Sequence, residues 1–208
     1  MRVNILICFV ISTIVLACNQ QPKEEKLKVY GRSEISDSGD TTFHKIADYK
    51  FVDQDSAWVS PETFEGKIYV ADFFFTSCPT ICPIMKTQML RVYEKYENNP
   101  EVMLLSHSID PKHDTVAVLK EFADRLGVKS DKWHFITGEK DDIFKLGQTS
   151  YMVAATEDGS EPGGYVHSGA FILVDKERRI RGFYDGTLAE QVDKLMLDMD
   201  KLLMEYEK

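Results

Sequence analysis

The segment that says most about the fold of this chain is Phe73-Phe74-Phe75-Thr76-Ser77-Cys78-Pro79-Thr80-Ile81-Cys82-Pro83. It continues an apolar run over 68–75, which is typical of a strand that is covered on both faces. The residues after it repeat apolar side chains at helical spacing. Proline fits the first turn of a helix, so Pro83 predicts a helix with Cys82 at its cap and Cys78 in the entering loop. The sequence therefore predicts a thiol pair where a buried strand passes into a helix.

The spacing of the two cysteines suits two kinds of chemistry. In helical geometry, α-carbons four residues apart are ~6 Å apart, which lies within the disulfide range of ~4.4–6.8 Å. The same spacing lets both sulfurs point at one metal ion. Amide dipoles at a helix start favour thiolate, so we predict thiol pKa values below the usual ~8.5. The alternative, two cysteines that serve only as small core residues, fits poorly with the flanking prolines.

Hydrophobic periodicity predicts alternating strands and helices along the rest of the chain. The expected strands are 68–75, 102–109, 133–136, 151–155, 170–174 and 180–184. Four helices are expected: one that follows Cys82, one that is capped by Asp114 and ends at Gly127, one over 141–146, and one that begins with a capping box at 187–190. The last two strands form a hairpin. This order predicts an α/β fold of the thioredoxin-like type, with a central mixed β-sheet flanked by helices and an added hairpin.

The N-terminus predicts an exported protein. Arg2 is the only charged residue before position 23, and residues 5–17 are apolar but too few to span a bilayer well. The run ends in Val15-Leu16-Ala17-Cys18, which resembles the bacterial lipobox. We predict a lipoprotein signal peptide at 1–17, lipidation of Cys18, a flexible polar tether at 18–40 and one domain at 41–208. A signal peptide that is cleaved without lipid attachment is the alternative.

Composition excludes one class of partner. The chain has 208 residues with 25 Lys and Arg against 34 Asp and Glu, which gives a formal net charge of −9. Binding to nucleic acid depends on excess cations that neutralise phosphates, and no basic stripe is present. If Cys18 carries lipid and Cys8 leaves with the signal peptide, Cys78 and Cys82 are the remaining thiols. Outside the cytoplasm such a pair is redox-labile unless it is reduced or metal-bound.

Three further residues are candidates for the same site. His167 lies in Gly163-Gly164-Tyr165-Val166-His167-Ser168-Gly169, just before the strand at 170–174. In the expected topology this strand neighbours the one that leads to the cysteines, so His167 can face them, although a loop histidine without a ligand role remains open. Asp72 in the buried strand either accepts a proton during thiol chemistry or bonds to a local backbone or lysine partner. Asp110 either supports a metal site or ends its strand.

Three segments together resemble the Sco/SenC family of copper chaperones for cytochrome c oxidase assembly. They are 74–83, Ser108-Ile109-Asp110-Pro111 with Asp114-Thr115, and Val166-His167-Ser168 followed by 171–175, in family order over roughly 45–205. The resemblance implies a copper site formed by Cys78, Cys82 and His167. Two thiolates and one imidazole are soft ligands that suit Cu(I), with Cu(II) left open, whereas structural zinc usually takes four ligands.

The expected function is therefore a membrane-tethered metallochaperone rather than an enzyme. It would deliver copper to the Cu-A site on cytochrome c oxidase subunit II or to another acceptor, and it would need a thiol reductant. The lipid anchor implies the cell envelope, on the periplasmic side of a bacterial membrane. The alternative is a thiol–disulfide oxidoreductase that keeps the Cu-A cysteines reduced. The two functions differ in their need for His167, because disulfide exchange does not require an imidazole.

Overall fold

A computed structural model describes residues 26–35, 38–157 and 165–207 of this chain. The strands are β1 Ser33–Ile35, β2 Thr41–Phe43, β3 Phe51–Asp53, β4 Trp58–Val59, β5 Ile68–Phe74, β6 Val102–Ser108, β7 Trp133–Thr137, β8 Ala155–Glu157, β9 Tyr165–His167, β10 Ala170–Val174 and β11 Ile180–Asp185. The helices are α1 Cys82–Tyr96, α2 Val116–Leu126, α3 Lys140–Lys145 and α4 Ala189–Tyr206. A 3-10 turn covers Pro61–Phe64, and a π-helical turn covers Leu146–Ser150.

Seven strands form the central mixed sheet, in the order β11-β10-β5-β6-β7-β3-β4. The middle strands β5, β6 and β7 run parallel, while β10 pairs antiparallel with β5 and β3 pairs antiparallel with β7. The hairpin of β10 and β11 therefore forms one side of the sheet, as the sequence predicted. Two small pairs, β1 with β2 and β8 with β9, lie outside it.

Helices cover the sheet with the faces that the periodicity predicted. The inner face of α1 buries Met85, Met89, Val92, Tyr93 and Tyr96, and that of α4 buries Val192, Leu195, Met199 and Leu202. The buried methionines are core residues, as expected at this spacing. Gly127 ends α2 with a φ of 70°, a left-handed conformation that glycine adopts without steric cost.

Three details of the predicted secondary structure are wrong. Tyr151 does not begin a strand, because its ring is fully buried against Phe73 and its hydroxyl lies 3.1 Å from that of Tyr69. The strand starts at Ala155, after the π-helical turn. No capping box opens α4, since the N–H and hydroxyl of Thr187 both donate to Asp185 and Leu188 occupies the cap.

The third error concerns the start of α2. Thr115, not Asp114, is its N-cap, and the Thr115 hydroxyl accepts a hydrogen bond from Val118 N–H. Asp114 is completely buried and binds two other segments instead, which are described with the site below.

Part of the predicted tether contacts the domain. Tyr30 N–H donates to the carbonyl of Ile180 at 2.9 Å, so the chain runs beside the start of β11. The buried Arg181 guanidinium donates to the carbonyl of Leu27 at 2.7 Å and also pairs with Glu205. The predicted signal peptide at 1–17 and Cys18 lie outside the described residues. Among the residues that are described, no helix has the length and apolar character to cross a membrane.

Helix α4 offers a matched test of the core. Leu195 is fully buried, whereas Leu197 two residues later is 68% exposed. We expect Leu195→Ala to lower the free energy of unfolding by about 2–5 kcal/mol, because it removes buried contacts and leaves a cavity. Leu197→Ala should change it by less than about 0.5 kcal/mol. Urea unfolding followed by circular dichroism measures both, and similar losses for the two variants would contradict this packing.

Candidate metal site

The two cysteines lie where β5 passes into α1. Cys82 is the first residue of α1 and Ile81 is the cap, one position earlier than predicted, while Pro83 lies in the first turn as expected. Cys78 N–H donates to the Phe75 carbonyl at 3.2 Å, which turns the connecting loop. Both residues are thiols and both are buried, with 6% and 4% of their surface exposed. The pair is therefore placed as predicted, but almost without contact to solvent.

Burial dominates the acidity of Cys82. The pKa of its thiol is raised to about 12, chiefly because burial removes solvent; the Lys86 ammonium acts to lower this pKa and the neighbouring Cys78 acts to raise it. The prediction that the helix start would lower this pKa is wrong for Cys82. A helix dipole contributes a modest stabilisation, and desolvation of a buried thiolate costs more than this.

A buried ion pair lies one helical turn beyond Cys82. Lys86 Nζ is 2.7 Å from Oδ2 of the fully buried Asp72 and 3.2 Å from the Ser106 hydroxyl. Nζ also lies 4.0 Å from the centre of the Phe74 ring. The Ser106 hydroxyl itself donates to Asp72, and Trp133 Nε1–H donates to Ser106 at 2.9 Å. Of the two interpretations of Asp72, the lysine partner is the one observed.

Asp114 ties the cysteine loop to the sheet. Its Oδ2 accepts a hydrogen bond from Thr76 N–H at 3.0 Å and another from the Ser108 hydroxyl at 2.6 Å, and its Oδ1 accepts from the Thr76 hydroxyl. Thr76 lies two residues before Cys78, so this buried carboxylate fixes the start of the loop. The sequence pattern around Asp114 indicated only a helix cap, and the second role depends on contacts between distant segments.

Asp110 ends β6 with a turn. Its N–H donates to the Ser108 hydroxyl at 3.2 Å, and its carbonyl accepts hydrogen bonds from His113 and Asp114 N–H. These bonds agree with the strand-ending interpretation of Asp110. A supporting role at a metal site stays a prediction.

The chain brings the residues after His167 to the cysteine loop. Strand β9 ends at His167, which pairs with Ala155, and Ser168 N–H donates to the Ala154 carbonyl at 3.1 Å. A β-carbon built on Gly169 would lie 3.8 Å from Cδ1 of Ile81, the residue before Cys82. The segment after His167 therefore lies beside the side chain of Ile81, the residue before Cys82, and its proximity to the sulfurs stays a prediction.

The role of His167 as a ligand stays a prediction. Its side chain lies outside the described part of the structure. Among the side chains that are described, no three His, Cys, Asp or Glu residues form a group able to hold a metal ion.

Other histidines have structural partners. His107 is fully buried and stacks on Phe73, and burial lowers its pKa to about 4. The Nε2 atom of His44 lies 2.7 Å from the Ser150 carbonyl oxygen. The sequence patterns did not single out His134. Its Nδ1 atom lies 2.9 Å from Oδ2 of Asp53. His113 is exposed.

A cavity of about 250 Å³ adjoins the thiols. It lies between α1 and α2, and its wall includes both cysteines, Lys86, Leu90 and Phe122. A group that enters from this side would meet the sulfurs across a largely apolar surface. The arrangement can bind a soft metal ion through two sulfurs or form a disulfide after a small movement.

The sequence model of the SCO1/SenC family matches residues 38–203 of this chain. An SCO1 protein homolog from Bacillus subtilis is 30% identical over 158 residues, which are 75% of this chain and 81% of that protein. A crystal structure of a SCO1/SenC family lipoprotein from Bacillus anthracis has a TM-score of 0.70 at 28% identity, covering 77% of this chain and 95% of that one. These matches confirm the predicted fold class.

Two further structures add detail about the relatives. BsSco has a TM-score of 0.67 at 29% identity, over 76% of this chain and 93% of that one. It is described as a member of the Sco family of cytochrome c oxidase assembly proteins with a disulfide switch. A copper-bound ScoI from Arabidopsis thaliana has a TM-score of 0.62 over 74% of this chain and 98% of that one. At 23% identity it shows similarity of fold alone.

The raised pKa of Cys82 predicts an unusual pH profile. With a pKa of about 12, the thiolate fraction in the folded protein should rise tenfold per pH unit between pH 7 and 10 without levelling off. The alkylation rate at Cys82, measured with iodoacetamide and peptide mass spectrometry, should follow it. In the urea-unfolded chain the rate should level off near pH 9. A plateau below pH 9 in the folded protein would contradict the burial argument.

Removal of the Asp114 carboxylate should loosen the cysteine loop. We expect Asp114→Ala to lower the free energy of unfolding by at least about 2 kcal/mol, since it leaves buried donors on Thr76 and Ser108 without their acceptor. The matched control is Asp124→Ala on the exposed face of α2, where the lost ion pair with Lys120 is worth little. Urea unfolding measures the stability of both variants. Equal losses of stability would contradict the role of Asp114 in holding the cysteine loop.

Proposed function

The chain belongs to the SCO1/SenC family, and from that premise we propose that it binds copper as cargo and delivers it to the Cu-A site of cytochrome c oxidase during assembly. Cys78, Cys82 and His167 are the proposed ligands. The main observation in support of the proposal is that Gly169 lies close to the side chain of Ile81. The segment after His167 is therefore next to the start of α1. The chemistry of the donors, two thiolates and an imidazole, supports the choice of metal.

The donor set favours Cu(I). Thiolate sulfurs and an imidazole are soft ligands, and a three-coordinate site leaves room for an incoming ligand. Because burial keeps Cys82 protonated at neutral pH, binding of the metal must release the thiol proton. Copper then passes on by ligand exchange, in which a thiolate of the acceptor replaces one thiolate of this protein at a time. A thiol reductant must keep Cys78 and Cys82 in the reduced form that binds copper.

We propose that the protein acts in the bacterial cell envelope as a lipoprotein anchored through Cys18, with its domain on the periplasmic side. A SCO1/SenC family relative from Bacillus anthracis is described as a lipoprotein, which supports this assignment. The Val15-Leu16-Ala17-Cys18 sequence supplies the attachment site.

A thiol–disulfide oxidoreductase that reduces the Cu-A cysteines is the second candidate. It is favoured by the adjacent thiols of Cys78 and Cys82 and by the disulfide switch described for BsSco. Disulfide exchange uses the two sulfurs and makes no use of an imidazole. His167 therefore separates the two functions, and we place the metallochaperone first since the segment after His167 lies beside Ile81, the residue before Cys82.

Copper binding is the direct test of the proposal. The full chain, purified in detergent and fully reduced, should bind one equivalent of Cu(I), measured by competition with a chromophoric chelator. Cys78→Ser with Cys82→Ser should abolish binding. His167→Ala should weaken it by at least about tenfold, the scale of one lost ligand at about 1.4 kcal/mol.

His113→Ala is the matched control, because His113 is an exposed histidine outside the proposed set of ligands and its removal should leave the affinity unchanged. Oxidase assembly in cells then separates the candidates. If His167→Ala supports normal assembly while either Cys→Ser blocks it, the oxidoreductase replaces the metallochaperone. Absence of Cu(I) binding by the reduced wild-type protein rejects the copper proposal.

A further inference from the structure

The ion pair of Lys86 and Asp72 is buried near the thiols and lies outside the proposed set of copper ligands. Lys86 exposes 5% of its surface and Asp72 exposes none. A buried ion pair often stabilises a fold no better than apolar side chains of the same volume, because both charges lose their water. Buried charges next to reactive groups are often functional. The pair is therefore a candidate for a role in the chemistry of the thiols.

The positive end of this ion pair belongs to the wall of the thiol cavity. Lys86 follows Cys82 by one turn of α1, so the two side chains lie on the same side of the helix. Within the part of the chain that the structure describes, Lys86 is the only charged residue among those that line the cavity with Cys78 and Cys82. Asp72, in β5, does not line it. The sulfurs therefore share the cavity with the ammonium, and the carboxylate lies behind it.

The ammonium of Lys86 is held in place by several groups. Its Nζ lies 2.7 Å from Oδ2 of Asp72, 3.2 Å from the Ser106 hydroxyl and 4.0 Å from the centre of the Phe74 ring. Ser106 is fixed in turn by its bond to Asp72 and by the Trp133 Nε1–H. A charge that is already oriented acts on a neighbouring group without any cost of rearrangement.

Copper bound to the thiols would create a charge that needs a partner. Two thiolates carry two negative charges, Cu(I) carries one positive charge and a neutral imidazole carries none, so the bound ion and its ligands keep one negative charge. Cys78 and Cys82 are 6% and 4% exposed, and water therefore solvates this charge poorly. A buried charge is costly unless an opposite charge compensates it. Zn(II) with the same ligands would leave no net charge.

We propose that Lys86 determines the specificity of the site for a monovalent metal ion, because its ammonium compensates the negative charge that two thiolates keep when they bind Cu(I). Asp72 and Ser106 position the ammonium for this role. The inference rests on the proposed copper binding and adds a residue that acts on the bound ion by charge rather than as a ligand. The Lys86 ammonium also acts to lower the pKa of the Cys82 thiol, as expected of a positive charge near this sulfur.

Affinity for two metal ions of different charge tests the proposal. The full chain, purified in detergent and fully reduced, is titrated in competition with chromophoric chelators for Cu(I) and, separately, for Zn(II). Lys86→Met should weaken Cu(I) binding at least about tenfold and Zn(II) binding less than about threefold, since the lost attraction depends on the net charge of the bound ion with its ligands. An equal loss for both ions would overturn the proposal, because general damage to the site does not depend on charge.

Substitution of Asp72 should act in the other direction. If the ion pair were only structural, Asp72→Asn and Lys86→Met would weaken Cu(I) binding alike. In our proposal Asp72→Asn leaves the affinity unchanged or raises it, because the ammonium stays and the opposing carboxylate is gone. Lys86→Met combined with Asp72→Asn avoids an unpaired buried carboxylate, and this double variant should bind Cu(I) at least about threefold more weakly than the wild type. Wild-type affinity of the double variant would overturn the proposal.

An exposed ion pair on the same helix supplies the matched control. Lys95 Nζ lies 2.7 Å from Oδ2 of Asp200, and both side chains are in contact with solvent. Lys95→Met and Asp200→Asn remove the same charges from the chain as the substitutions in the buried pair. Each should change the affinity for Cu(I) less than about twofold, because solvent and salt screen exposed charges. A loss as large as that of Lys86→Met would show an effect of total charge and overturn the proposal.

A measurement without metal separates this inference from the proposed function. The rate of iodoacetamide alkylation at Cys82 in the reduced, metal-free chain at about pH 9 should fall at least about fivefold in Lys86→Met and stay unchanged in Lys95→Met. This result would support the action of the Lys86 charge on the sulfur even if the wild-type chain bound no copper, an outcome that rejects the proposed function alone. Equal alkylation rates in Lys86→Met and the wild type would overturn the inference.

Discussion

The antiparallel pairing of β10 with β5 is the constraint on which the site depends. Ile172 pairs with Ala71, so the strand that begins just after His167 starts beside the end of the strand that leads to the cysteines. Segments far apart in sequence thus meet at one end of the sheet. Strand β6 pairs with β5 on its other side and brings Ser108 opposite Phe74, next to the loop that contains Cys78.

Two buried carboxylates support the thiols from different directions. Asp72 holds the Lys86 ammonium below the first turn of α1, and Asp114 holds the backbone and side chain of Thr76 before Cys78. A buried charge is costly unless it is paired and hydrogen-bonded, and both carboxylates meet that condition. The loop between them contains prolines at 79 and 83 but is anchored at each end, so the two sulfurs keep a defined position relative to each other.

The sequence predicted the features that depend on local pattern. The strands β5, β6 and β10 and the buried faces of α1 and α4 follow from apolar spacing alone, and the predicted position of Cys78 and Cys82 at the start of a helix is confirmed within one residue. The features that failed depend on distant contacts. Tyr151 belongs to the core and not to a strand because of Phe73 and Tyr69, and Asp114 bonds to Thr76 and Ser108 instead of capping α2. The predicted lowering of the Cys82 thiol pKa was wrong for a similar reason. Burial by the surrounding core raises this pKa more than the nearby start of the helix lowers it.

The contact of Arg181 with Leu27 determines how the domain is held. Ile180 pairs with Val174, and Val174 pairs with Tyr69 at the beginning of β5, so Leu27 joins the domain at the opposite pole of the sheet from Cys78. The hydrogen bonds that join Leu27 and Tyr30 to β11 fix the incoming chain at this end of the sheet, while the two thiols lie at the other end.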